Sequence, residues 1–155
     1  MIMIDLPELL KGQSEAQSDA SFWTVAEQIS ALKDAERIQI IRAGLPAMMI
    51  ALVGTALAVN RSTIGTMLNL SPSTAERRFK DGKPLDPVAS ERVDRLLQVA
   101  LLARDVFEDD KIAAKWLAIP NDALGGEPPF ALCDTDLGAR QVRRVLHAIE
   151  WGNAA

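Results

Sequence analysis

The residues that could do chemistry in this chain are few and far apart. It has one cysteine, Cys133, and one histidine, His147, so an internal disulfide, a multi-cysteine zinc site and a two-imidazole site are all excluded. We find no acid or cysteine at catalytic spacing from His147 and no glycine loop that would cradle a phosphate. The adjacent Asp109 and Asp110 fit the start of a helix better than a metal site. We therefore predict a protein that is not an enzyme and that holds no metal and no cofactor.

Positive charge is concentrated in one segment. Residues 60–83 contain five basic and two acidic residues, whereas the whole 155-residue chain has a net charge of −4. An acidic chain argues against a protein that binds nucleic acid over its whole surface. A local basic excess instead favours a single DNA-facing element, with the remaining surface left for other partners.

The pattern of this basic segment is that of a helix-turn-helix at residues 60–82. Ser62 to Leu68 predicts a short helix, and Asn69 suits the left-handed backbone of a sharp turn. Ser71 followed by Pro72 is a strong helix start, and Gly82 ends the second helix. Ala75 and Phe79 would face the first helix. The side chains expected to point away, toward DNA bases and phosphates, are Ser73, Thr74, Arg77, Arg78 and Lys80. The alternative is an ordinary pair of helices with a solvated basic face.

The rest of the chain predicts an all-α protein, because helical spacing recurs and no segment alternates convincingly with period two. We expect a loose N-terminal arm over residues 1–21, with no apolar periodicity between Gln13 and Ser21. A helical DNA-binding and dimerisation region follows over 22–83. Its expected elements are a helical stretch from Phe22 to Ala43, with Asp34 capping a second helix inside it, and a buried helix from Pro46 to Val59.

A small helical domain is expected over residues 84–155. Asp86 and Pro87 predict the start of a helix that runs to about Phe107, and a short helix follows over 110–118. Proline and glycine make the loop from Ile119 to Pro129 irregular. Thr135 is expected to cap a last helix that ends near Trp151.

The chain gives no sign of a membrane or an export signal. Its longest apolar stretch, Leu45 to Val59, has 15 residues, and a membrane span needs roughly 18 or more. Asp5 and Glu8 lie where a signal peptide would need a basic and then an apolar run. With a single cysteine, these features lead us to expect a cytoplasmic protein.

A more specific signal lies in the second half. Residues 116–142 read WLAIPNDALGGEPPFALCDTDLGARQV, and Ile149-Glu150-Trp151-Gly152 follow. This run resembles the toxin-binding domain of the MbcA/ParS/Xre antitoxins. The pattern spans residues 116–152, and the upstream helices match the family layout back to about Ile41.

The resemblance implies a partner and a role. Such antitoxins combine a helix-turn-helix region with a C-terminal domain that binds a RES-domain toxin, which consumes NAD or transfers from it. The antitoxin is expected to block the toxin's active site, and the complex to repress its own operon. A homodimer is expected, because one helix-turn-helix reads too few base pairs for useful specificity.

We expect the end of the last helix to plug the toxin's nucleotide pocket, with Trp151 as the anchor. The expected toxin-facing residues are Arg140, Arg143, Arg144, Glu150, Trp151, Gly152 and Asn153. The arginines could instead pair with Asp134 or Asp136, and Trp151 could instead pack on its own domain. The alternative function is a helix-turn-helix repressor without a toxin partner.

Overall fold

A computed structural model describes residues 15–152 of the chain. Over this range the protein is helical and contains no strand, as the sequence predicts, apart from two isolated bridges. The helices are α1 (Glu15–Ser30), α2 (Asp34–Ala43), α3 (Met48–Leu57), α4 (Arg61–Met67), α5 (Pro72–Asp81), α6 (Pro87–Phe107), α7 (Asp110–Ala118), α8 (Pro129–Leu132) and α9 (Asp136–Gly152), with a short 3₁₀ turn at Asp122–Leu124.

The chain divides into two compact units between Glu91 and Arg92, inside α6. In the N-terminal unit, α1 packs against α3, α3 against α4 and α4 against α5. Its core is built from side chains that are almost fully inaccessible to solvent, such as Phe22, Ile29, Met49, Ile50 and Ile64. Burial of this apolar surface is the main force that holds these short helices together.

The first helix begins earlier than the sequence analysis expects. The loose arm was placed over residues 1–21, but the backbone is helical from Glu15. The run from Glu15 to Ala20 holds glutamate, glutamine and two alanines, which have high helix propensity and extend the helix even without apolar periodicity. Residues 1–14 lie outside the part of the chain that the structure describes.

Helix α2 also differs from expectation. Asp34 is not its cap: Lys33 has the extended backbone of the N-cap position and makes no side-chain cap bond, so Asp34 is the first helical residue. Its carboxylate is still favourable there, beside the positive end of the helix dipole. None of the ten residues of α2 is buried.

Helix α3 is the buried helix predicted from residues 46–59, and most of its residues from Met49 to Leu57 are buried. Within residues 15–152, no single helix combines the length and apolar character that a membrane crossing needs. By length and composition, α3 and α4 reach that threshold only together, across a bend of 111°.

Three predicted helix caps of the second half are confirmed. Oδ1 of Asp86 accepts from the Ala89 amide at 2.8 Å, and Oδ1 of Asp109 accepts from the Ile112 amide at 2.9 Å. Oγ1 of Thr135 accepts from the Gly138 amide at 2.9 Å. Each cap satisfies a backbone donor that the first turn of a helix leaves unpaired.

In the C-terminal unit, α8 packs against both α7 and α9, and α9 also contacts the 3₁₀ turn. Leu96, Leu117 and Leu146 are fully buried. The Trp116 ring lies half-buried with its centroid 5.7 Å from that of Phe107, which agrees with a core role. Cys133 is buried, and desolvation raises the pKa of its thiol to about 12. The thiol is therefore neutral and unreactive at ordinary pH.

Gly138 allows α9 to approach the preceding turn, because a Cβ at this position would collide with the carbonyl oxygen of Leu132. We expect Gly138→Ala to lower the free energy of unfolding by about 1–3 kcal/mol through overpacking. Gly152→Ala is the matched control, since a Cβ at Gly152 meets no atom within 4 Å. Urea denaturation checks both variants, and equal midpoints would show that the close approach carries no energetic weight.

Candidate nucleic-acid and protein interfaces

The helix-turn-helix predicted at residues 60–82 is formed by α4 and α5. The side chain of Asn60 caps α4, with Oδ1 accepting from the Thr63 amide at 2.8 Å. Asn69 has the left-handed backbone that the turn requires, with φ 60°. Ser71 caps α5 by accepting from the Thr74 amide at 3.2 Å, and Pro72 opens the helix. The features at Asn69, Ser71 and Pro72 follow the sequence prediction, whereas the cap by Asn60 was not predicted.

The contact between α4 and α5 is small and apolar. Ile64, Met67, Leu70 and Ala75 are buried. A Cβ on Gly65 would lie 3.5 Å from the Cβ of Ala75, which is ordinary contact distance. The crossing is therefore close, although alanine would also fit there.

Three of the five residues predicted to face DNA are exposed on α5: Ser73, Arg77 and Lys80. Thr74 is half-buried, and its Oγ1 accepts a hydrogen bond from the Ser71 hydroxyl at 2.8 Å. Ser73 Oγ lies 3.2 Å from Ser71 Oγ. The exposed set presents two cations and one hydroxyl, which suits contacts to phosphates and base edges.

The prediction that Arg78 points away from the protein is wrong. Its side chain is half-buried, and Nη1 donates to the carbonyl oxygen of Pro84 at 2.9 Å. The reason is helical spacing: Arg78 follows the buried Ala75 by three residues and so lies on the same face of α5. Arg78 ties the end of α5 to the linker that leads into α6.

We expect Arg78→Ala to reduce the free energy of unfolding by about 1–2 kcal/mol, because the Pro84 carbonyl loses its charged donor and the packed stem is removed. Arg77→Ala, one residue earlier and exposed, should change it by no more than about 0.5 kcal/mol. Thermal unfolding of the two variants tests this. If the two variants melt at the same temperature, the Arg78 contact does not stabilise the fold, and Arg78 would again be a candidate for contacting DNA.

Arg61 joins this surface, although the sequence analysis counts it only as a charge. Its guanidinium lies 4.0 Å from the centroid of the Phe79 ring. This cation–π contact holds an exposed cation of α4 against α5. The sequence offered one signal for this contact: Arg61 lies in the same basic segment as the aromatic residue Phe79.

In the C-terminal unit, the candidate surface is the solvent-facing side of α9. The opposite side carries Gly138, Ala139, Val142 and Leu146, all buried. Arg140, Arg144, Glu150, Trp151 and Gly152 are exposed, Arg143 is half-buried, and Asn153 lies outside the described residues. Helix α9 is thus amphipathic, and its exposed side includes most of the predicted partner-facing residues.

The charged residues of α9 are partly engaged with one another. Arg140 Nη2 lies 2.8 Å from Oδ2 of Asp136, one turn earlier. Nδ1 of His147 lies 3.6 Å from Oε2 of Glu150, so His147 does have an acid beside it, contrary to the sequence analysis. Both pairs are exposed, and such pairs are worth little to stability. The charged groups of both pairs therefore remain available to pair with charges on another protein.

Among the described residues of this unit, 92–152, Trp151 is the most exposed large apolar side chain, with 75 % of its surface accessible. The alternative in which it packs on its own domain is therefore wrong. An indole at the end of an amphipathic helix, in contact mainly with water, is the kind of side chain that anchors protein interfaces.

The glycine pair in the loop before α8 serves the backbone. Gly125 and Gly126 both have positive φ, at 71° and 83°, and a Cβ on either would meet no atom within 4 Å. The Asn121 carboxamide accepts from the Ala123 amide at 2.9 Å, and the Gly126 amide donates to the Asn121 carbonyl at 3.0 Å. The pair is thus needed for a tight, self-bonded loop and not for close approach.

Comparisons with known proteins match two successive segments of the chain to two family models. A family model described as the antitoxin Xre-like helix-turn-helix domain matches residues 36–98. A second, the antitoxin Xre/MbcA/ParS C-terminal toxin-binding domain, matches residues 102–152. The chain is 28% identical to the Prs ADP-ribosylating antitoxin of Sphingobium sp., over 95% of this chain and 98% of that protein. It is 36% identical to an antitoxin Xre of Yersinia enterocolitica, over 53% of this chain and 55% of that protein.

Proposed function

Since this chain belongs to the Xre/MbcA/ParS antitoxin family, with a helix-turn-helix domain and a toxin-binding domain, we propose that it inhibits a RES-domain toxin and represses their shared operon. The inhibitory part blocks the toxin's NAD-binding active site. The regulatory part binds operator DNA, so both activities belong to the cytoplasm. No cofactor is required for either.

The observation that carries the inhibitory part is the exposure of Trp151 at the end of α9. The indole provides a large, rigid apolar surface with few rotatable bonds, which suits insertion into a concave nucleotide pocket. Glu150 lies beside it and provides a carboxylate that can accept from donors which would otherwise bind the phosphates of NAD. Arg140 and Arg144 lie on the exposed side of the same helix, where they can pair with acids at the pocket rim.

The relative named as a Prs ADP-ribosylating antitoxin bears on the toxin's chemistry. Its name refers to ADP-ribosylation, a reaction in which the ADP-ribose group of NAD is transferred. A toxin that transfers from NAD, or hydrolyses it, needs a pocket for the dinucleotide. A protein that fills this pocket stops both reactions in the same way.

The regulatory part is supported by Ser73, Arg77 and Lys80, which project from α5, and by Arg61 beside them. The charge on this element contrasts with the acidic chain as a whole. Two such elements in a homodimer would read paired half-sites about one helical turn of DNA apart.

Co-expression tests the proposal. Induction of a RES-domain toxin encoded beside this gene should arrest growth, and simultaneous induction of the full chain should restore it. The Leu137→Ala variant, exposed on α9 but outside the expected toxin-facing set, controls for expression of a folded inhibitor with a changed α9. Persistent growth arrest with a soluble chain would favour the alternative, a repressor without this toxin partner.

A further inference from the structure

His147 lies on the exposed side of α9, one turn before the residues proposed to enter the toxin. It is the only histidine of the chain. Glu150 follows it by three residues and Trp151 by four, so the three side chains share one region of the helix surface. Nδ1 of His147 lies 3.6 Å from Oε2 of Glu150, and the two side chains are 53 % and 47 % exposed. A change in the charge of this imidazole therefore acts at the proposed inhibitory surface.

The other charged groups near His147 are few. On its own helix, the exposed Arg144 and the half-buried Arg143 precede it by three and four residues. The elements packed against α9 are α8 and the 3₁₀ turn. Helix α8 has no titratable side chain, and the turn contributes Asp122, which is exposed. Protonated His147 thus has one acid within ion-pair distance in the described part of the chain, and this acid is the proposed toxin-facing Glu150.

Docking on the toxin would change the partner of Glu150. In the free chain, protonation of His147 turns the contact with Glu150 into an ion pair. In the proposed complex, the carboxylate accepts from toxin donors that would otherwise bind the phosphates of NAD, and donors that bind phosphate carry positive charge or the positive end of a dipole. A protonated His147 would then lose its partner and face a charge of its own sign. The neutral imidazole carries neither penalty.

We propose that His147 makes toxin inhibition sensitive to pH, because docking on the toxin selects the neutral imidazole and releases its proton. The inference rests on the proposed function and adds the regulation of the same surface. Histidine changes its charge between about pH 5 and 8. Since the free chain holds more protons than the complex in this range, acid favours the free chain and the affinity for the toxin rises with pH. A fall in cytoplasmic pH weakens inhibition and frees the toxin.

Titration calorimetry of the full chain with the RES-domain toxin encoded beside it tests the proposal. The dissociation constant should be about tenfold higher at about pH 5.5 than at about pH 8, which is the scale of one charge pair at a partly desolvated surface. Titrations near pH 6.5 in phosphate and in Bis-Tris, whose heats of ionisation differ, should show a net release of protons on binding. Circular dichroism at each pH verifies that the chain stays folded.

The matched control is His147→Gln, which keeps a polar side chain and removes the titrating group. It should bind as tightly as wild type at about pH 8 and should not share the tenfold loss in acid. Titration of the toxin's own groups affects both chains equally, so the ratio of their constants at each pH isolates His147. A second control transfers the histidine to another exposed position of α9, by combining His147→Gln with Gln141→His. Position 141 has Arg144 three residues later instead of an acid, so the transfer should not restore the pH dependence.

The outcomes separate this inference from the function on which it rests. Affinity that falls in acid, with protons released on binding and both effects absent from His147→Gln, supports it. An equal pH dependence of wild type and His147→Gln, or a wild-type affinity that rises in acid, overturns it while toxin inhibition stands. Restoration of the pH dependence by the transferred histidine also overturns it, because the contact with Glu150 would then be irrelevant. No binding at either pH contradicts the proposed function and the inference together.

Discussion

A chain that ends at Ile149 is expected to fold normally and to lose toxin inhibition. The deletion removes Glu150, Trp151 and the residues after them, while the residues that anchor α9, Val142 and Leu146, stay buried. Because the removed indole is exposed, its loss costs the fold little. Its loss from an interface should be severe, since truncation of a tryptophan anchor typically costs about 2–4 kcal/mol of binding.

The single variant Trp151→Ala sharpens this test. It should weaken binding to the toxin by about 30-fold or more, which corresponds to the lower end of that range. Leu137→Ala is the matched control, because Leu137 is 64 % exposed at the opposite end of the same helix. Binding is measured by titration calorimetry, and helicity by circular dichroism. Inhibition that survives both the deletion and Trp151→Ala would show that the end of α9 is not the plug.

Replacing Arg77 and Lys80 together by alanine should remove most operator binding while leaving toxin inhibition intact. An arginine that contacts a base is worth about 1–3 kcal/mol, and a phosphate contact contributes about one unit to the salt dependence of binding. Because a homodimer uses each residue twice, we expect a loss of at least about 100-fold and a shallower dependence on salt. Fluorescence anisotropy with an operator duplex over a salt series gives both quantities.

The control for this pair is Lys111→Ala, an exposed basic residue of the C-terminal unit. It removes positive charge from a surface that we do not assign to DNA. Should Lys111→Ala weaken binding as much as the double variant does, the interaction would reflect overall charge and not the recognition helix.

Local signals predicted three helix starts of the second half because the deciding interactions are local, whereas the start of α1 and the cap of α2 were missed. Asp86, Asp109 and Thr135 cap helices through bonds to amides three residues away, and such bonds depend on residue type and spacing alone. Asn69 likewise takes its left-handed backbone for a local reason. The loop before α8 was expected to be irregular for its prolines and glycines, and it is.

Other misses concern properties that depend on the rest of the fold. Arg78 looks like any other exposed cation of a recognition helix, and only the position of the Pro84 carbonyl shows that it binds inward. Burial of α2 could not be judged from its isoleucines, because exposure depends on which helices surround it. The Arg61–Phe79 contact joins residues 18 positions apart and required the angle between α4 and α5. For Trp151, the sequence left open whether the side chain packs on its own domain or stays accessible to a partner, and its exposure in the structure excludes the first.

The central claim is that the C-terminal domain fits the active site of a RES-domain toxin. Its most direct test is a titration of the purified full chain into the RES-domain protein of its own operon, followed by both heat and NAD turnover. We predict tight binding with a parallel loss of NAD turnover, and Trp151→Ala should shift both curves together to higher concentration. No binding at micromolar concentrations, or binding that leaves NAD turnover unchanged, would contradict the claim.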